Sequence, residues 1–381
     1  MKFKKINIYF FTGKRGGFSH LIPILRLIEK DKKFKYKILA ADMHLSNTFG
    51  NTIKEIKKYT KNIVKVKSFN ISDSKKNRLI VISKTIESLS KIFSKKKPDY
   101  IFLIGDRAEV HSAAIASLHF NVPIIHLYGG DVTQGGTDEP TRHAITKISN
   151  IHFTSTMDSF RNVIRMGEEK WRVHNVGLSS LDLFQKNYFK SKNYLQKKFN
   201  LNFSEPFAIL IQHSVTWQVK ESKKQILETL KSLKKLKIQT VAMYPCSDPG
   251  FKDIVKSLNK FKKNKYFKLF KNIDSNDFYS LLKYCSFVIG NSSCGITECG
   301  FFNKPVINIG IRQEGRVTGS NVLNVSHNSS RISNLINQIL NKNFKFKSNT
   351  KLYGTGNASK KIIKILKKLP KKEKIIKKKF I

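Results

Sequence analysis

The stretch Ile101-Phe-Leu-Ile-Gly-Asp106-Arg107-Ala-Glu109, with Val122-Pro-Ile-Ile-His-Leu127-Tyr-Gly-Gly-Asp131-Val-Thr-Gln-Gly-Gly-Thr-Asp138-Glu139-Pro-Thr-Arg142-His143 after it, decides how the chain is read. Two short apolar runs each end in glycine and a carboxylate, and residues 109–118 between them have helical spacing. Strand, helix, strand in that order predicts a parallel sheet. Open parallel sheets hold ligands beyond the carboxyl ends of their strands, where Asp106 and Asp131 stand. A lone Asp there is more often a helix cap. Acids at 106, 131 and 138 gathered with Arg142 and His143 point instead to an active site.

Working outward, Ile6-Asn-Ile-Tyr-Phe-Phe11 predicts a strand, Thr12-Gly13-Lys14-Arg15-Gly16-Gly17 a turn, and residues 21–28 a helix. These glycines do not form the Gly-x-Gly-x-x-Gly dinucleotide pattern, and no Gly-Lys-Ser/Thr phosphate loop occurs. Arg15 beside a helix start remains a candidate phosphate ligand. Strands are expected at 36–41, 62–69, 152–155 and 172–176, and helices from about 48, over 77–93 and over 141–149. The first domain is expected over 1–177, and a hinge region of low periodicity over 178–205.

A second strand and helix series starts at Phe207-Ala-Ile-Leu-Ile211 and fills 206–366. Its strand ends lead to His213, to Tyr244-Pro-Cys-Ser-Asp248, to Asn291-Ser-Ser-Cys-Gly295, and to Gly310-Ile-Arg312-Gln-Glu-Gly-Arg316. Ser292, Ser293 and Gly295 at a strand-to-helix turn suit a phosphate, as do the guanidinium groups of Arg312 and Arg316. A helix is expected to run from 296 toward 302, with Glu298 one turn in, placed to accept ribose hydroxyls. His213 is suited to donate to a phosphate or to a leaving oxygen.

With 381 residues and a 40% hydrophobic share the chain is long enough for two cores. No apolar run is long enough to span a bilayer, and the opening Met1-Lys-Phe-Lys-Lys leads into a run too short for a secretory signal. The expected location is therefore the cytoplasm, with no membrane partner. The four cysteines, 246, 285, 294 and 299, lack metal-ligand spacing and are expected to be free buried thiols. Lys and Arg number 72 against 26 Asp and Glu, a net charge of +46. The lysines are dispersed without interleaved stacking aromatics, which argues against a specific nucleic-acid site. Only the stretch Lys360 to Ile381 concentrates charge, and it is expected to be a helix end followed by a disordered basic stub, with 367–381 as the tail.

Taken together, Thr12-Gly13-x-Arg15, Met43-His44-Leu45 with Phe49-Gly-Asn-Thr52, Gly105-Asp106-Arg107, Gly129-Gly130, Asp138-Glu139, Arg142-His143-Ala-Ile-Thr-Lys147, Asn291-Ser-Ser-x-Gly295, Pro305-Val-Ile-Asn-Ile-Gly310, Arg312-Gln-x-Gly-Arg316 and Tyr353-Gly-x-Gly-Asn-Ala-Ser359 resemble the hydrolysing UDP-N-acetylglucosamine 2-epimerases of sialic-acid-type sugar biosynthesis. The resemblance runs from about residue 6 to 366. It implies a glycosyltransferase-B-like α/β fold, two Rossmann-like domains facing across a cleft, with the sugar against the first and UDP held mainly by the second. It implies no metal and no organic cofactor. UDP is eliminated from UDP-N-acetylglucosamine to leave a 2-acetamidoglucal, and water adds to give N-acetylmannosamine.

By the same resemblance Asp106, Asp131, Asp138 and His213 match catalytic positions. Arg15, His44, Arg107, Arg142, His143, Ser292, Ser293, Gly295, Glu298, Arg312 and Arg316 are the substrate-binding candidates. The partner implied is a nucleotide sugar, and a homodimer or tetramer is expected. Two departures stand out: Gly16-Gly17 replaces the family's Ala-Asp or Ala-Glu, and Asp131 replaces its Glu. Either is compatible with another substrate, a UDP- or GDP-linked 2,4-diacetamido-trideoxyhexose. A non-hydrolysing epimerase and a non-catalytic polyanion-binding relative are the other readings.

Overall fold

The computed structural model describes residues 5–68, 73–184, 188–348, 350–379 and 381. It divides into two compact units. The first holds seven parallel strands: β1 (Ile6–Thr12), β2 (Phe34–Ala40), β3 (Ile63–Lys65), β4 (Tyr100–Ile104), β5 (Ile124–Leu127), β6 (Ile151–Thr154) and β7 (Val173–Asn175). Their order across the sheet is β3-β2-β1-β4-β5-β6-β7. Six helices connect them: α1 (Arg15–Glu29), α2 (Ile53–Tyr59), α3 (Lys75–Lys95), α4 (Ala108–His119), α5 (Asp138–Ile148) and α6 (Met157–Arg165). Central strands such as β4 are buried along their whole length, because helices cover both faces of a parallel sheet.

The second unit repeats the plan with β8 (Phe207–Ile211), β9 (Gln239–Met243), β10 (Phe267–Phe270), β11 (Phe287–Gly290), β12 (Val306–Ile309) and β13 (Val322–Val325), ordered β10-β9-β8-β11-β12-β13. Its helices are α7 (Lys192–Phe199), α8 (Ser222–Lys235), α9 (Phe251–Phe261), α10 (Ser275–Tyr284), α11 (Ser293–Thr297) and α12 (Ser329–Leu340). In each sheet the strand order reverses once, between β1 and β4 and between β8 and β11. Those switch points are where an open α/β sheet leaves a crevice for a ligand.

The boundaries differ from the sequence expectation. Residues 178–184 and Tyr353–Ile381 belong to the first unit, and Thr133–Gly136 to the second. The reason lies in long-range polar and close backbone contacts within each unit. The Asp182 carboxylate accepts the amides of Ala358 at 3.1 Å and Ser359 at 2.6 Å, which open α13 (Ala358–Leu366). Leu178 N donates to Tyr353 O at 2.8 Å, and Lys367 pairs with Asp31 on the α1–β2 connection at 2.5 Å. The Gly135 position lies so close to Ile311 that a Cβ would stand 2.0 Å from its carbonyl oxygen. Nor is the basic tail a loose stub: it forms α14 (Lys372–Ile376), with Ile375 fully buried.

Strand β3 is shorter than expected, and residue 69 at its predicted end lies outside the described residues. The helix expected over 296–302 stops at Thr297 and turns follow. Cys246, Cys285 and Cys299 are buried free thiols, while Cys294 is only half-buried; burial pushes Cys285 up to about 12. Among the described residues no helix is long and apolar enough to cross a membrane.

Candidate functional site

At the carboxyl ends of β4 and β5, one guanidinium gathers the acids. Arg142, on α5 and 1% exposed, donates Nε to Asp106 Oδ2 at 3.0 Å and Nη2 to the same oxygen. Its Nη1 donates to the Asp131 carbonyl at 2.7 Å and to Glu139 Oε2 at 2.8 Å. Burial works against this charge, but Asp106, Asp131 and Glu139 more than offset it and hold the guanidinium protonated beyond its ordinary range. His143 Nε2 donates to Glu139 Oε1 at 3.0 Å, a half-exposed ring beside the knot.

Asp131 is aimed by its backbone. Tyr128 has φ +71 and Gly130 φ +80, so the chain makes two left-handed steps just before the acid. A non-glycine residue pays strain there, which persists only where surroundings hold it. Tyr128 OH accepts Ser179 N at 2.9 Å and lies 3.1 Å from His20 Nδ1. A Cβ at Gly130 would fall 2.2 Å from the Ser159 carbonyl, so only glycine passes. The carboxylate then accepts Ser155 Oγ at 2.8 Å and Ser159 Oγ at 2.5 Å on Oδ1. Asp138 is the first residue of α5 and half-buried, where a negative charge complements the helix dipole.

Asp42 after β2, Arg78 on α3, Arg107 after β4 and Glu109 on α4 form a largely buried four-charge network. Arg107 donates Nε to Glu109 Oε1 at 2.6 Å and Nη2 to Asp42 Oδ2 at 3.2 Å; Arg78 Nη2 reaches Glu109 Oε2 at 2.7 Å. Arg107 is thus engaged with two protein carboxylates. His44 is likewise engaged within the protein. It is fully buried, its Nε2 is 2.9 Å from Thr12 Oγ1 and its Nδ1 2.7 Å from Thr52 Oγ1. Burial pushes it down to about 3, so it is a neutral strut between loops. Arg15 is half-buried in the first turn of α1, so Gly16 and Gly17 are helical rather than part of a turn. A side chain at Gly16 would meet nothing within 4 Å, so packing does not impose that departure from the resembled family.

In the second unit, β8 and β11 end side by side and their extensions are tied together. His213 N donates to Asn291 Oδ1 at 2.7 Å, and Asn291 Nδ2 to the His213 carbonyl at 2.9 Å. Cys246 N donates to His213 Nδ1 at 3.0 Å. Arg312 Nη1 and Gln313 Nε2 both donate to the Asn291 carbonyl, at 3.2 and 3.0 Å. Arg312 and Arg316 are half-buried around the turn at Gly315, φ +79. Ser292 holds the N-cap position of α11 yet makes no side-chain cap, and Ser293 follows it half-buried. Gly295 lets α11 sit close on β12, since a Cβ would be 3.0 Å from Val306.

Glu298 is not one turn into a helix but at the carboxyl end of the five-residue α11, where the dipole disfavours its charge. It is buried and accepts Tyr279 OH at 3.3 Å and the Thr297 hydroxyl. Helix-dipole stabilisation therefore does not account for it.

Sequence reasoning missed Glu139, Ser155, Ser159, Asn291, Gln313 and Tyr279 as site groups. Glu139, Asn291 and Gln313 lay inside quoted motifs. Ser155 and Ser159 had one available signal: a serine pair just past the end of β6, the strand next to that of Asp131.

A family model described as UDP-N-acetylglucosamine 2-epimerase matches residues 26–367 of the chain. The chain is 29% identical over 373 residues to the UDP-N,N'-diacetylbacillosamine 2-epimerase (hydrolyzing) of Legionella pneumophila, covering 98% of each. It is 33% identical over 322 residues to the GDP/UDP-N,N'-diacetylbacillosamine 2-epimerase (hydrolyzing) of Campylobacter jejuni, covering 84% of each. The UDP-GlcNAc 2-epimerase of Methanocaldococcus jannaschii, solved with UDP-GlcNAc and UDP, superposes with a TM-score of 0.79 at 21% identity, covering 96% of this chain and 100% of that one. At that identity the likeness speaks for the fold, two Rossmann-like α/β domains of glycosyltransferase-B-like type.

Proposed function

Because the chain belongs to the UDP-N-acetylglucosamine 2-epimerase family, we propose that it is a hydrolysing nucleotide-sugar 2-epimerase whose preferred sugar is a 2,4-diacetamido-trideoxyhexose. The observation that supports it most is the Arg142 knot, which gathers Asp106, Glu139 and the backbone of Asp131 at the strand ends. Removing the weakly acidic proton at C2 requires a positioned carboxylate. Asp131 takes that role, its Oδ1 fixed by two serine hydroxyls. The C2–H electron pair forms the C1–C2 double bond, and the C1–O bond breaks to release the nucleoside diphosphate. Water then adds its oxygen to C1 while C2 receives a proton on the opposite face, with Asp106 and Asp138 as the proton carriers.

The leaving diphosphate needs donors. His213, presenting Nε2–H, the hydroxyls of Ser292 and Ser293, and the guanidinium groups of Arg312 and Arg316 meet that need. Glu298, buried where its charge is otherwise disfavoured, accepts the ribose hydroxyls. Both sequence relatives with the diacetylbacillosamine name move the preferred sugar away from N-acetylglucosamine, the substrate expected from sequence. The enzyme in this reading acts in the cytoplasm as a homodimer or tetramer.

The test is kcat/KM for UDP-linked 2,4-diacetamido-trideoxyhexose against UDP-N-acetylglucosamine, with Asp131→Asn alongside. The reading expects the diacetamido sugar to be the better substrate, and expects Asp131→Asn to abolish turnover while sparing UDP binding. Preference for UDP-N-acetylglucosamine returns the sugar assignment to the sequence expectation, and near-normal turnover by Asp131→Asn removes the base.

A further inference from the structure

Helix α5 carries Asp138, Glu139, Arg142 and His143, so its position sets theirs. Its far end is not capped by its own sequence alone. A helix leaves its last carbonyls without helical partners, and a cation there is favoured by the dipole. The Lys378 ammonium supplies it from 229 residues or more along the chain: Nζ donates to the carbonyls of Lys147 at 2.5 Å, Ser149 at 2.7 Å and, more weakly, Thr146 at 3.4 Å. It also pairs with Glu168 Oε2 at 2.7 Å.

Glu168 is fully buried and shared. It accepts Lys147 Nζ at 2.9 Å, from α5 itself, and His152 Nε2 at 3.0 Å, from β6. The segment bearing Lys378 is fixed by a second socket. Arg172, fully buried with its guanidinium over the Trp171 ring at 4.2 Å, donates Nη1 to Ile375 O at 2.8 Å and Nη2 to Lys377 O at 2.7 Å. Asn150 Nδ2 adds a bond to Ile375 O at 3.1 Å, and the Ile375 side chain is buried beneath.

We propose that Lys378 is a positioning residue for the reaction: it clamps the carbonyl end of α5 and so sets the axial and rotational position of Asp138, Glu139, Arg142 and His143. The inference rests on the reading that these α5 residues serve catalysis. Burial holds Lys378 down to about 8 in spite of Glu168, so the clamp keeps a charge where solvation opposes it. Removing the ammonium leaves the buried Glu168 with Lys147 and His152, so a purely stabilising ion pair predicts lower stability with the rate per folded molecule intact.

The test compares full-length wild type with Lys378→Met and Lys378→Arg, using UDP release and C2 deuterium incorporation. A shift of the acids by a fraction of an ångström lowers kcat in Lys378→Met about tenfold. KM and UDP affinity stay within about twofold, and Lys378→Arg recovers most of the rate. Amide exchange in α5 rises in the Met variant alone. Should Lys378→Met not fold, Lys378→Gln, which keeps two donors, is expected between Arg and a full loss. Unchanged kcat in the Met or Gln variant overturns the proposal, as does a fall in melting temperature with the rate per folded molecule intact. Wild type without turnover on any nucleotide sugar sinks the functional reading, and the catalytic role of Lys378 with it; wild-type turnover with indifferent variants sinks the clamp alone.

Discussion

The backbone amide of Cys246 donates to Nδ1 of His213 at 3.0 Å. A ring nitrogen that accepts cannot carry a proton, so the imidazole is neutral with its hydrogen on Nε2. In the proposed reaction His213 is therefore a donor to the leaving diphosphate and not the base at C2. His213→Asn is expected to lower kcat by about 10²-fold. UDP release from His213→Asn, followed over time, measures the effect, and release at the wild-type rate would contradict the donor role.

Asp106 and Arg142 form a pair of unequal exposure, 19% against 1% for the side chains. Asp106→Asn takes away the carboxylate charge that faces the buried guanidinium, so the loss is structural as well as chemical. Unfolding stability is expected to fall by about 3 kcal/mol, measured by chemical denaturation, with turnover lost in the protein that remains folded. Unaltered stability would mean that the knot does not hold the loop.

The tail's docking carries a pH signature. Glu168 is held at about 2 against an ordinary 4.5: burial pulls it up, while His152, Lys378 and Lys147 pull it further down. A carboxylate with a depressed folded value contributes stability that is complete above its unfolded value and is lost as pH falls through the folded one. Protection of amides 371–379 is therefore expected to be full above about pH 4.5 and to decline toward pH 2. Glu168→Gln should weaken that dependence, with a remainder from Glu169, which accepts Arg172 and the Lys379 amide. Equal protection of the tail at both ends of this window in wild type would contradict the socket.

How much of this was legible in the sequence follows from what each residue depends on. Ile101-Phe-Leu-Ile-Gly and Phe207-Ala-Ile-Leu-Ile read as buried strands because a parallel strand covered on both faces has no polar alternation. That Asp106, Asp131 and His213 stand past strand ends was legible, since the apolar runs stop just before them. The protein partners of His44 and Arg107 were not, since a sequence motif does not say which way a side chain turns. The close seat of α11 on β12 was hidden because Gly295 acts through packing that spacing does not encode. The return of residues 353–381 to the first unit depends on Asp182, Arg172 and Glu168. Those are buried polar sockets filled from nearly two hundred residues away, and no local pattern announces them.

The central claim is that this chain eliminates the nucleoside diphosphate and then adds water. Incubation with UDP-linked 2,4-diacetamido-trideoxyhexose, and separately with UDP-N-acetylglucosamine, in heavy water followed by proton NMR tests it directly. The account predicts free 2-epimerised sugar bearing deuterium at C2, with UDP in equal amount. An intact UDP-sugar epimer, or free sugar that keeps its original C2 proton, would contradict it.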